Sequence, residues 1–192
     1  MRVIAGSAGG IQLEVPKCGV RPTMDRVKAA IFSSLGNKVI GARVLDLFAG
    51  SGALGIEALS RGAATVLFVD EGRRAMETIQ RNLAKTRSEA ETRQQEVFEF
   101  LRRAISLGKF DIIFADPPYQ QTKQGERFTD KLLVNESLPL LLEQDGVFIL
   151  EKRPGETIPE SPLWKLVHRR KYGATEVLFF SVNPQSAIAT PQ

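Results

Sequence analysis

The segment Asp46-Leu47-Phe48-Ala49-Gly50-Ser51-Gly52-Ala53-Leu54-Gly55 decides the fold of this 192-residue chain. It contains the spacing G-x-G-x-x-G, and it stands between an apolar run and a helical pattern. Gly50 and Gly52 allow a tight turn close to a ligand, and Gly55 allows the following helix to pack near the sheet. The segment therefore predicts the first strand, loop and helix of an open α/β sheet.

Outward from this loop, apolar runs typical of strands alternate with helical periodicity. The predicted strands are Val44–Phe48, Thr65–Asp70, 92–95, Phe110–Ala115, Val147–Glu151, Lys165–Tyr172 and Glu176–Val182. Such alternation is typical of a parallel, doubly wound Rossmann-like sheet with helices on both faces. The turn at Gly173 is too short for a parallel crossover, so the last two strands must be antiparallel. Asp130–Leu142 is predicted to be one helix, bent at Pro139.

Residues 1–40 are predicted to form an appendage before the repeating unit. Short apolar stretches at 2–5 and 11–15 flank Gly6–Gly10, which indicates a hairpin. A helix follows, with Thr23 as its cap and Gly36 as its end. We thus expect three parts: an N-terminal hairpin and helix at 1–40, a main domain at 41–182, and a frayed tail at 183–192.

Composition excludes several classes of function. Cys18 and His168 are the only residues of their types, so neither an intrachain disulfide nor a Cys/His zinc site is possible, and no metal is expected. The chain has no apolar run of about 18 residues and no signal-peptide core, so a soluble cytoplasmic protein is the expectation.

The positive charge is concentrated at the N-terminus. Residues 1–43 hold seven basic and two acidic side chains, whereas the remaining 149 hold 19 and 20. Such clustering attracts phosphate, but a solvated basic face would have the same composition.

Two carboxylates indicate which cofactor the glycine loop holds. Asp70 ends the second strand, twenty residues after Gly50, where a carboxylate can accept hydrogen bonds from ribose hydroxyls. Both a dinucleotide and S-adenosylmethionine are compatible with that arrangement. Asp46, just before the loop, favours S-adenosylmethionine, since a carboxylate there repels pyrophosphate and attracts an ammonium or sulfonium.

The fourth strand runs directly into Asp116-Pro117-Pro118-Tyr119. This tetrapeptide and the glycine loop both follow strands of the sheet, so they should face one cleft. Two prolines supply rigid carbonyl acceptors without amide donors, Asp116 adds a carboxylate, and Tyr119 adds a flat ring. Such a site fits a planar group carrying an NH2, such as a stacked base. These four residues are the predicted catalytic residues.

These motifs resemble the class I amino-methyltransferases and, more closely, the RsmD family of 16S rRNA guanine-N2 methyltransferases. The resemblance covers about residues 1–182 and is most specific in Arg2–Gly6, Val20–Lys28, Ala42–Ala63 and Asp116–Tyr119. It implies a seven-stranded class I methyltransferase sheet with an N-terminal hairpin and helix. The implied reaction is methylation of a guanine N2 amino group by S-adenosylmethionine. The implied partner is small-subunit ribosomal RNA in an assembling 30S particle, and we expect a monomer.

The resemblance also assigns site residues. The predicted cofactor-binding set is Asp46, Phe48, Ala49, Gly50, Ser51, Gly52, Gly55, Asp70, Glu71, Glu96 and Val97. The predicted RNA-binding set is Arg2, Arg21, Arg26 and Lys28. Two departures from the family pattern stand out. The first hairpin turn here is Ser7–Gln12, where relatives have basic residues. Glu96 stands where the family has an aspartate that holds the adenine amino group.

Several other functions share part of this pattern. Amino-methyltransferases acting on another rRNA or tRNA base, on DNA adenine-N6 or on protein glutamine use a similar acceptor motif. A DNA enzyme normally needs a target-recognition domain, for which 192 residues leave no room, and a glutamine enzyme favours Asn as the first motif residue. A nicotinamide-dependent oxidoreductase shares the glycine loop but leaves the two prolines unexplained. A noncatalytic RNA-binding module does not need Asp70, Glu96 and Asp116 on one cleft.

Overall fold

The computed structural model of the protein describes residues 1–15, 23–119, 125 and 127–184. Seven strands form one sheet in the order β3-β2-β1-β4-β5-β7-β6. They are β1 Arg43–Leu47, β2 Thr65–Asp70, β3 Glu91–Gln94, β4 Phe110–Ala115, β5 Leu142–Lys152, β6 Trp164–Tyr172 and β7 Thr175–Val182. The helices are α1 Thr23–Leu35, α2 Ala53–Ser60, α3 Arg73–Thr86, α4 Val97–Arg103, α5 Phe128–Leu133 and α6 Ser137–Leu140. Short 3₁₀ segments follow α1 and α4.

Strands β1 to β5 are parallel, and β7 is antiparallel to both of its neighbours, β5 and β6. From β1 the chain first builds the sheet outward to β3 and then returns to place β4 on the other side of β1. The reversal between β1 and β4 is the topological switch point, where open α/β sheets bind ligands. The predicted fold, including its antiparallel last pair, is confirmed.

Each face of the sheet buries its own hydrophobic cluster. Helices α1, α2 and α3 cover one face, on which Val44, Phe68 and Phe114 are fully or almost fully buried. Helices α4, α5 and α6 cover the other, on which Leu45 and Phe148 are fully buried. We call these the α1 face and the α4 face. Alternate strand residues point to opposite faces, which explains why the central strands are apolar throughout.

The N-terminal segment packs on the α1 face. The Val3 N–H donates to the Ile11 carbonyl at 2.9 Å, and the Gly10 N–H donates to the Val3 carbonyl at 2.9 Å. A single bridge joins Arg2 to Gln12. The predicted hairpin is therefore present as a tight antiparallel turn with one bridge. Its apolar side chains belong to the same cluster as those of the sheet, and the division at residue 40 stays a prediction.

A buried carboxylate holds this segment to α2. Glu57, with 0% of its side chain exposed, accepts backbone N–H bonds from Ile4 at 2.7 Å and Ala5 at 3.1 Å. It also forms ion pairs with Lys28 of α1 at 3.2 Å and with Arg61 at 2.7 Å. Three parts of the chain thus meet at one anion whose charge is compensated within the protein. We call these residues the Glu57 anchor.

The predicted helix at 130–142 was wrong in its length. The chain instead forms two short helices, α5 and α6, and Leu142 already begins β5. The Asn135 side chain accepts the N–H groups of Ser137 and Leu138 at 3.1 and 2.9 Å, so it starts a new helix. Pro139 lies in the first turn of α6, where its missing N–H costs no helical hydrogen bond.

Two further expectations concern parts of the chain that the structure does not describe. The tail from residue 185 onward falls outside the described residues, and so does the side chain of Thr23, on which its predicted capping role depends. Within the described part of the chain, no helix is long and apolar enough to cross a membrane.

Candidate active site

The candidate site lies where β1 and β4 end side by side. In the β1–β4 register Leu47 pairs with Ala115, so the glycine loop and Asp116 leave the sheet next to each other. The Phe48 backbone has a φ of +56°, which is unusual for an aromatic residue. Strain of about 1–3 kcal/mol at such a position is characteristic of ligand sites, because the surroundings must enforce it.

The glycines of the loop have the predicted geometric roles. Gly50 and Gly52 have φ values of +55° and +75°, which favour glycine. A Cβ on Gly55 would lie 2.3 Å from the Phe68 ring, so only glycine allows α2 to pack this close to β2. Ala49 and Ser51 are each 9% exposed and contribute mainly backbone to the loop.

The amide groups of this loop are engaged within the protein. The Gly50 N–H donates to the Asp70 carboxylate at 2.9 Å, and the Gly55 N–H donates to the Asp46 carboxylate at 2.9 Å. The Gly52 N–H donates to the Ala49 carbonyl at 2.7 Å. A pyrophosphate site needs such amides directed at the ligand. The amides of Gly50, Gly52 and Gly55 are therefore not directed at a pyrophosphate site.

Asp46 is a buried carboxylate in an anionic setting. Its side chain is 3% exposed and accepts the Gly55 N–H. Burial raises the pKa of Asp46 to about 8, the carboxylates of Asp116 and Asp70 act in the same direction, and the Gly55 bond opposes them. A strongly perturbed carboxyl in a cleft is typical of a functional site. This one favours a cationic ligand, because a positive charge nearby would offset the repulsion.

Asp70 ends β2 beside the loop. One carboxylate oxygen accepts the Gly50 N–H, and the other accepts the Gly72 N–H at 2.8 Å. Each oxygen of a carboxylate can accept more than one hydrogen bond, so the predicted bonds from ribose hydroxyls remain possible. Glu71 is exposed next to it, and its carbonyl accepts the Gln94 amide at 3.4 Å.

Glu96 and Val97 lie at the start of α4. The Glu96 side chain caps this helix by accepting the Glu99 N–H at 2.8 Å, and Val97 is 2% exposed. The capping bond fixes the direction of the Glu96 carboxylate. The Glu96 carboxylate therefore has a structural role as a helix cap, in addition to the predicted hydrogen bond to adenine.

The predicted catalytic residues follow β4 directly. Asp116 is half-buried, Pro117 buried and Pro118 exposed. The Tyr119 hydroxyl lies 3.4 Å from the Thr175 hydroxyl, and the Arg153 guanidinium lies 4.9 Å from the centre of the Tyr119 ring. Contacts from β7 and from the end of β5 thus orient Tyr119.

The predicted RNA-binding residues differ in their exposure to solvent. Arg2 and Arg26 are exposed, and Arg21 lies outside the described residues. Lys28 is 3% exposed, and burial lowers its pKa while Glu57 opposes that shift. An ammonium held in the Glu57 anchor is not available to an RNA phosphate. The prediction for Lys28 is therefore corrected to a structural role.

Sequence reasoning missed two residues at the site and one in the packing of α2. Arg153 and Thr175 contact Tyr119 from strands that are distant in sequence, and no local pattern marks them. Glu57 was passed over inside an apolar helix, although a charged residue among Ile56 and Ala58 is a signal of a buried partner. The part of the chain that the structure describes contains no cluster of side chains suited to a metal ion.

Comparisons with known proteins identify the family. The family model described as conserved hypothetical protein 95 matches residues 1–181. YlbH of Bacillus subtilis is 39% identical over 94% of this chain and 98% of its own length. The ribosomal RNA small subunit methyltransferase D of Escherichia coli is 32% identical over 89% of this chain and 84% of its own.

Among solved structures, the chain is similar to the Thermus thermophilus 16S rRNA N2 methyltransferase RsmC in complex with AdoMet and guanosine. The TM-score is 0.61 with 25% identity, over 86% of this chain and 44% of that one. The conserved hypothetical protein 95 match spans nearly the whole chain, and both relatives exceed 30% identity over most of their length. The chain therefore belongs to this family, the RsmD family, of which ribosomal RNA small subunit methyltransferase D is a member.

Proposed function

We propose that this protein transfers a methyl group from S-adenosylmethionine to the N2 amino group of a guanine in small-subunit ribosomal RNA. The observation that carries the proposal is the meeting of Asp116–Tyr119 with the glycine loop at the ends of β1 and β4. An acceptor-rich motif there lies beside a buried carboxylate suited to a cation. One relative is named for methylation of small-subunit rRNA, and one structural neighbour for methylation of 16S rRNA at a guanine N2.

The residues of the loop fit S-adenosylmethionine better than a dinucleotide. The Gly50 and Gly55 amides already donate to the Asp70 and Asp46 carboxylates, so these two donors are not free to bind a pyrophosphate. Asp46, with its pKa raised to about 8, favours a cation. The cofactor supplies both an ammonium and a methyl group activated on a positively charged sulfur. Asp70 would hold the ribose, and Glu96 and Val97 would border the adenine.

The acceptor motif would prepare the target amine. An exocyclic amino group is a poor nucleophile, because its lone pair is delocalised into the ring. The Asp116 carboxylate and the Pro117 carbonyl can each accept a hydrogen bond from one of its two N–H groups, which turns the lone pair toward the methyl group. Tyr119 can stack on the base, with Arg153 on the other face of its ring. Alignment of this kind supplies on the order of 7–11 kcal/mol in favourable cases.

Proton transfer need not precede methylation in this scheme. The amine proton becomes acidic only when the nitrogen has gained its fourth bond, and it can then leave to the Asp116 carboxylate or to water. Asp116 therefore acts as an acceptor that orients the amine. A guanine inside a helix must leave its stack first, at a cost of a few kcal/mol, which favours a loop or an exposed helix end.

The wider setting is part of the same proposal. The RNA would be reached in an assembling small subunit, in the cytoplasm, by a monomer. Arg2 and Arg26 are the exposed members of the predicted RNA-binding set that the structure describes.

The direct test is transfer of labelled methyl from S-adenosylmethionine to small subunits that lack this modification, followed by digestion to nucleosides. We expect the label in N2-methylguanosine, and a strong loss with Asp116→Ala. Glu89→Ala, which changes an exposed carboxylate just before β3, away from the site and at the opposite end of the sheet, is the matched control and should keep full activity. Label in another nucleoside would refute the guanine assignment. No label, with the protein folded and the cofactor bound, would refute the small subunit as the substrate and lead to naked RNA, then DNA, then protein substrates.

A further inference from the structure

The edge strand β6 carries a dense positive charge that the proposed function does not use. Its nine residues, Trp164–Tyr172, include Lys165, Arg169, Arg170 and Lys171, and no acidic residue. Seven successive residues, 165–171, are exposed. A charged edge strand often only prevents pairing with another chain. The position of the charges in this strand indicates a binding surface in addition to protection of the edge.

The strand register divides these charges between the two faces of the sheet. Lys171 lies opposite Glu176, whose carboxylate is 2.7 Å from the buried Lys152 and 3.6 Å from Arg169, so several cations share one acid on the α4 face. On the α1 face, Arg170 lies opposite Val177 and Lys165 opposite Ser181, and neither partner is charged. On this face, Arg170 and Lys165 therefore have no acidic partner opposite them on β7.

A groove on that face continues the basic surface. It has a volume of about 490 Å³ and lies between the end of α1 and strands β6 and β7. Lys38 and Lys165 line it together with His168 and Ser34. Asp145 is the only acidic residue among the described residues that line it, and its backbone carbonyl accepts the Lys38 ammonium at 2.9 Å.

The carboxyl end of β6 lies next to the candidate active site. Tyr172 ends this strand, and the turn that follows leads to Thr175, whose hydroxyl is 3.4 Å from that of Tyr119. Arg153 covers the Tyr119 ring from the end of β5. A continuous path therefore runs from Tyr119 along Arg170 and His168 to Lys165 and the groove, with alternate strand residues about 7 Å apart.

We propose that this path, made of Arg170, His168, Lys165 and Lys38, binds the phosphate backbone of the RNA strand that flanks the target base. A flexible single strand fits a groove lined by cations better than a rigid duplex does, and its binding is dominated by phosphate contacts. The inference rests on the proposed function for the identity of the RNA. It adds a second contact surface to the N-terminal one that the sequence predicts.

The test compares two double variants with the same change of charge. Lys165→Gln with Arg170→Gln removes two cations from the path. Arg103→Gln with Lys109→Gln removes two exposed cations at the end of α4 and just before β4, away from the path. Binding of a 16S rRNA fragment is measured by fluorescence anisotropy between about 50 and 200 mM salt. The slope of log K against log salt should become shallower by about 1.4 in the first variant, at about 0.7 for each phosphate that is no longer neutralised, and should stay unchanged in the second.

Methyl transfer provides the second readout. In the path variant the KM for RNA should rise on the order of tenfold, while kcat and the KM for S-adenosylmethionine stay at their wild-type values. Equal slopes and equal KM values in the two variants would overturn the inference. Unchanged RNA affinity together with self-association of the path variant would also overturn it, since the charges would then only protect the edge.

The outcomes separate this inference from the proposed function. Wild-type protein that binds RNA but transfers no methyl, with the slope reduced only in the path variant, would refute the proposed reaction and support the surface. Wild-type protein that methylates RNA with kinetics unaffected by the path variant would refute the surface alone. Failure of the wild type to bind or methylate RNA would refute both.

Discussion

Glu57 and Asp46 are two buried carboxylates on neighbouring elements, and their surroundings differ in charge. Glu57 of α2 is met by Lys28, Arg61 and two backbone N–H groups. Asp46 of β1 accepts one N–H and lies near two further carboxylates, which together with burial raise its pKa. A compensated buried charge holds a structure together. An anionic cluster costs stability, which is characteristic of ligand sites.

Removal of the compensated carboxylate should have the largest effect. We expect Glu57→Ala to lower the free energy of unfolding by about 3–5 kcal/mol, because Lys28 would remain buried without its partner. Urea denaturation measures the change. Glu77→Ala, in the exposed pair with Arg73 on α3, is the control and should cost less than about 1 kcal/mol. Equal losses in the two variants would mean that the Glu57 anchor is no stronger than a surface pair.

Replacement of Asp46 by a neutral side chain should raise the free energy of unfolding, whereas removal of Glu57 should lower it. The folded protein holds a proton on Asp46 up to about pH 8, whereas the ordinary pKa of an aspartate is 3.8. Unfolding between these pH values therefore releases a proton, and the free energy of unfolding falls as pH rises. Asp46→Asn removes this dependence, so the variant should be more stable than the wild type at pH 8, by more than at pH 5.

Denaturation at pH 5 and pH 8 would reveal this difference. The wild type should lose stability relative to Asp46→Asn over that interval, and the two curves should approach each other at the acidic end. Parallel curves would show that Asp46 is ionised in the folded protein throughout, which would break the contrast with Glu57.

The same substitution, Asp46→Asn, should weaken the binding of the cofactor. Two unit charges about 8 Å apart at an effective dielectric constant of about 20 interact with about 2 kcal/mol, or roughly thirtyfold in affinity. Because Asp46 is ionised in the free protein only above about pH 8, we expect a loss of this order for S-adenosylmethionine with Asp46→Asn at pH 9, and a smaller loss at pH 7, where binding must first remove the Asp46 proton. S-adenosylhomocysteine, which lacks the sulfonium charge, should lose less. Calorimetric titration of both ligands measures the difference, and equal affinities in variant and wild type would exclude Asp46 from the cofactor site.

The smallest effect concerns Lys28. Lys28→Met should change the free energy of unfolding by no more than about 1 kcal/mol, because Glu57 keeps Arg61 and two N–H donors while a buried ion is replaced by an apolar side chain. RNA affinity should not change. Arg26→Gln, on the same helix but exposed, should keep its stability and weaken RNA binding. A loss of RNA affinity with Lys28→Met would restore Lys28 to the RNA-binding set.

Local sequence was sufficient where a residue acts through its own backbone or its nearest neighbours. The glycine spacing predicted the positive φ at Gly50 and Gly52 and the close packing at Gly55. The apolar runs predicted β2 and β4 with their observed bounds. The prediction of one helix at 130–142 was wrong, because the Asn135 side chain accepts the N–H groups of Ser137 and Leu138, which a continuous helix would have bonded to backbone carbonyls.

The sequence by itself determined the sheet, the glycine loop, the acceptor motif and the family, because each depends on residue types at short and fixed spacings. Only the tertiary structure decided how the charges are used. It buried Lys28 against Glu57, left Arg170 and Lys165 exposed on one face of β6, and brought Arg153 and Thr175 to Tyr119. Burial and pairing depend on contacts between residues far apart in the chain, and composition does not record such contacts.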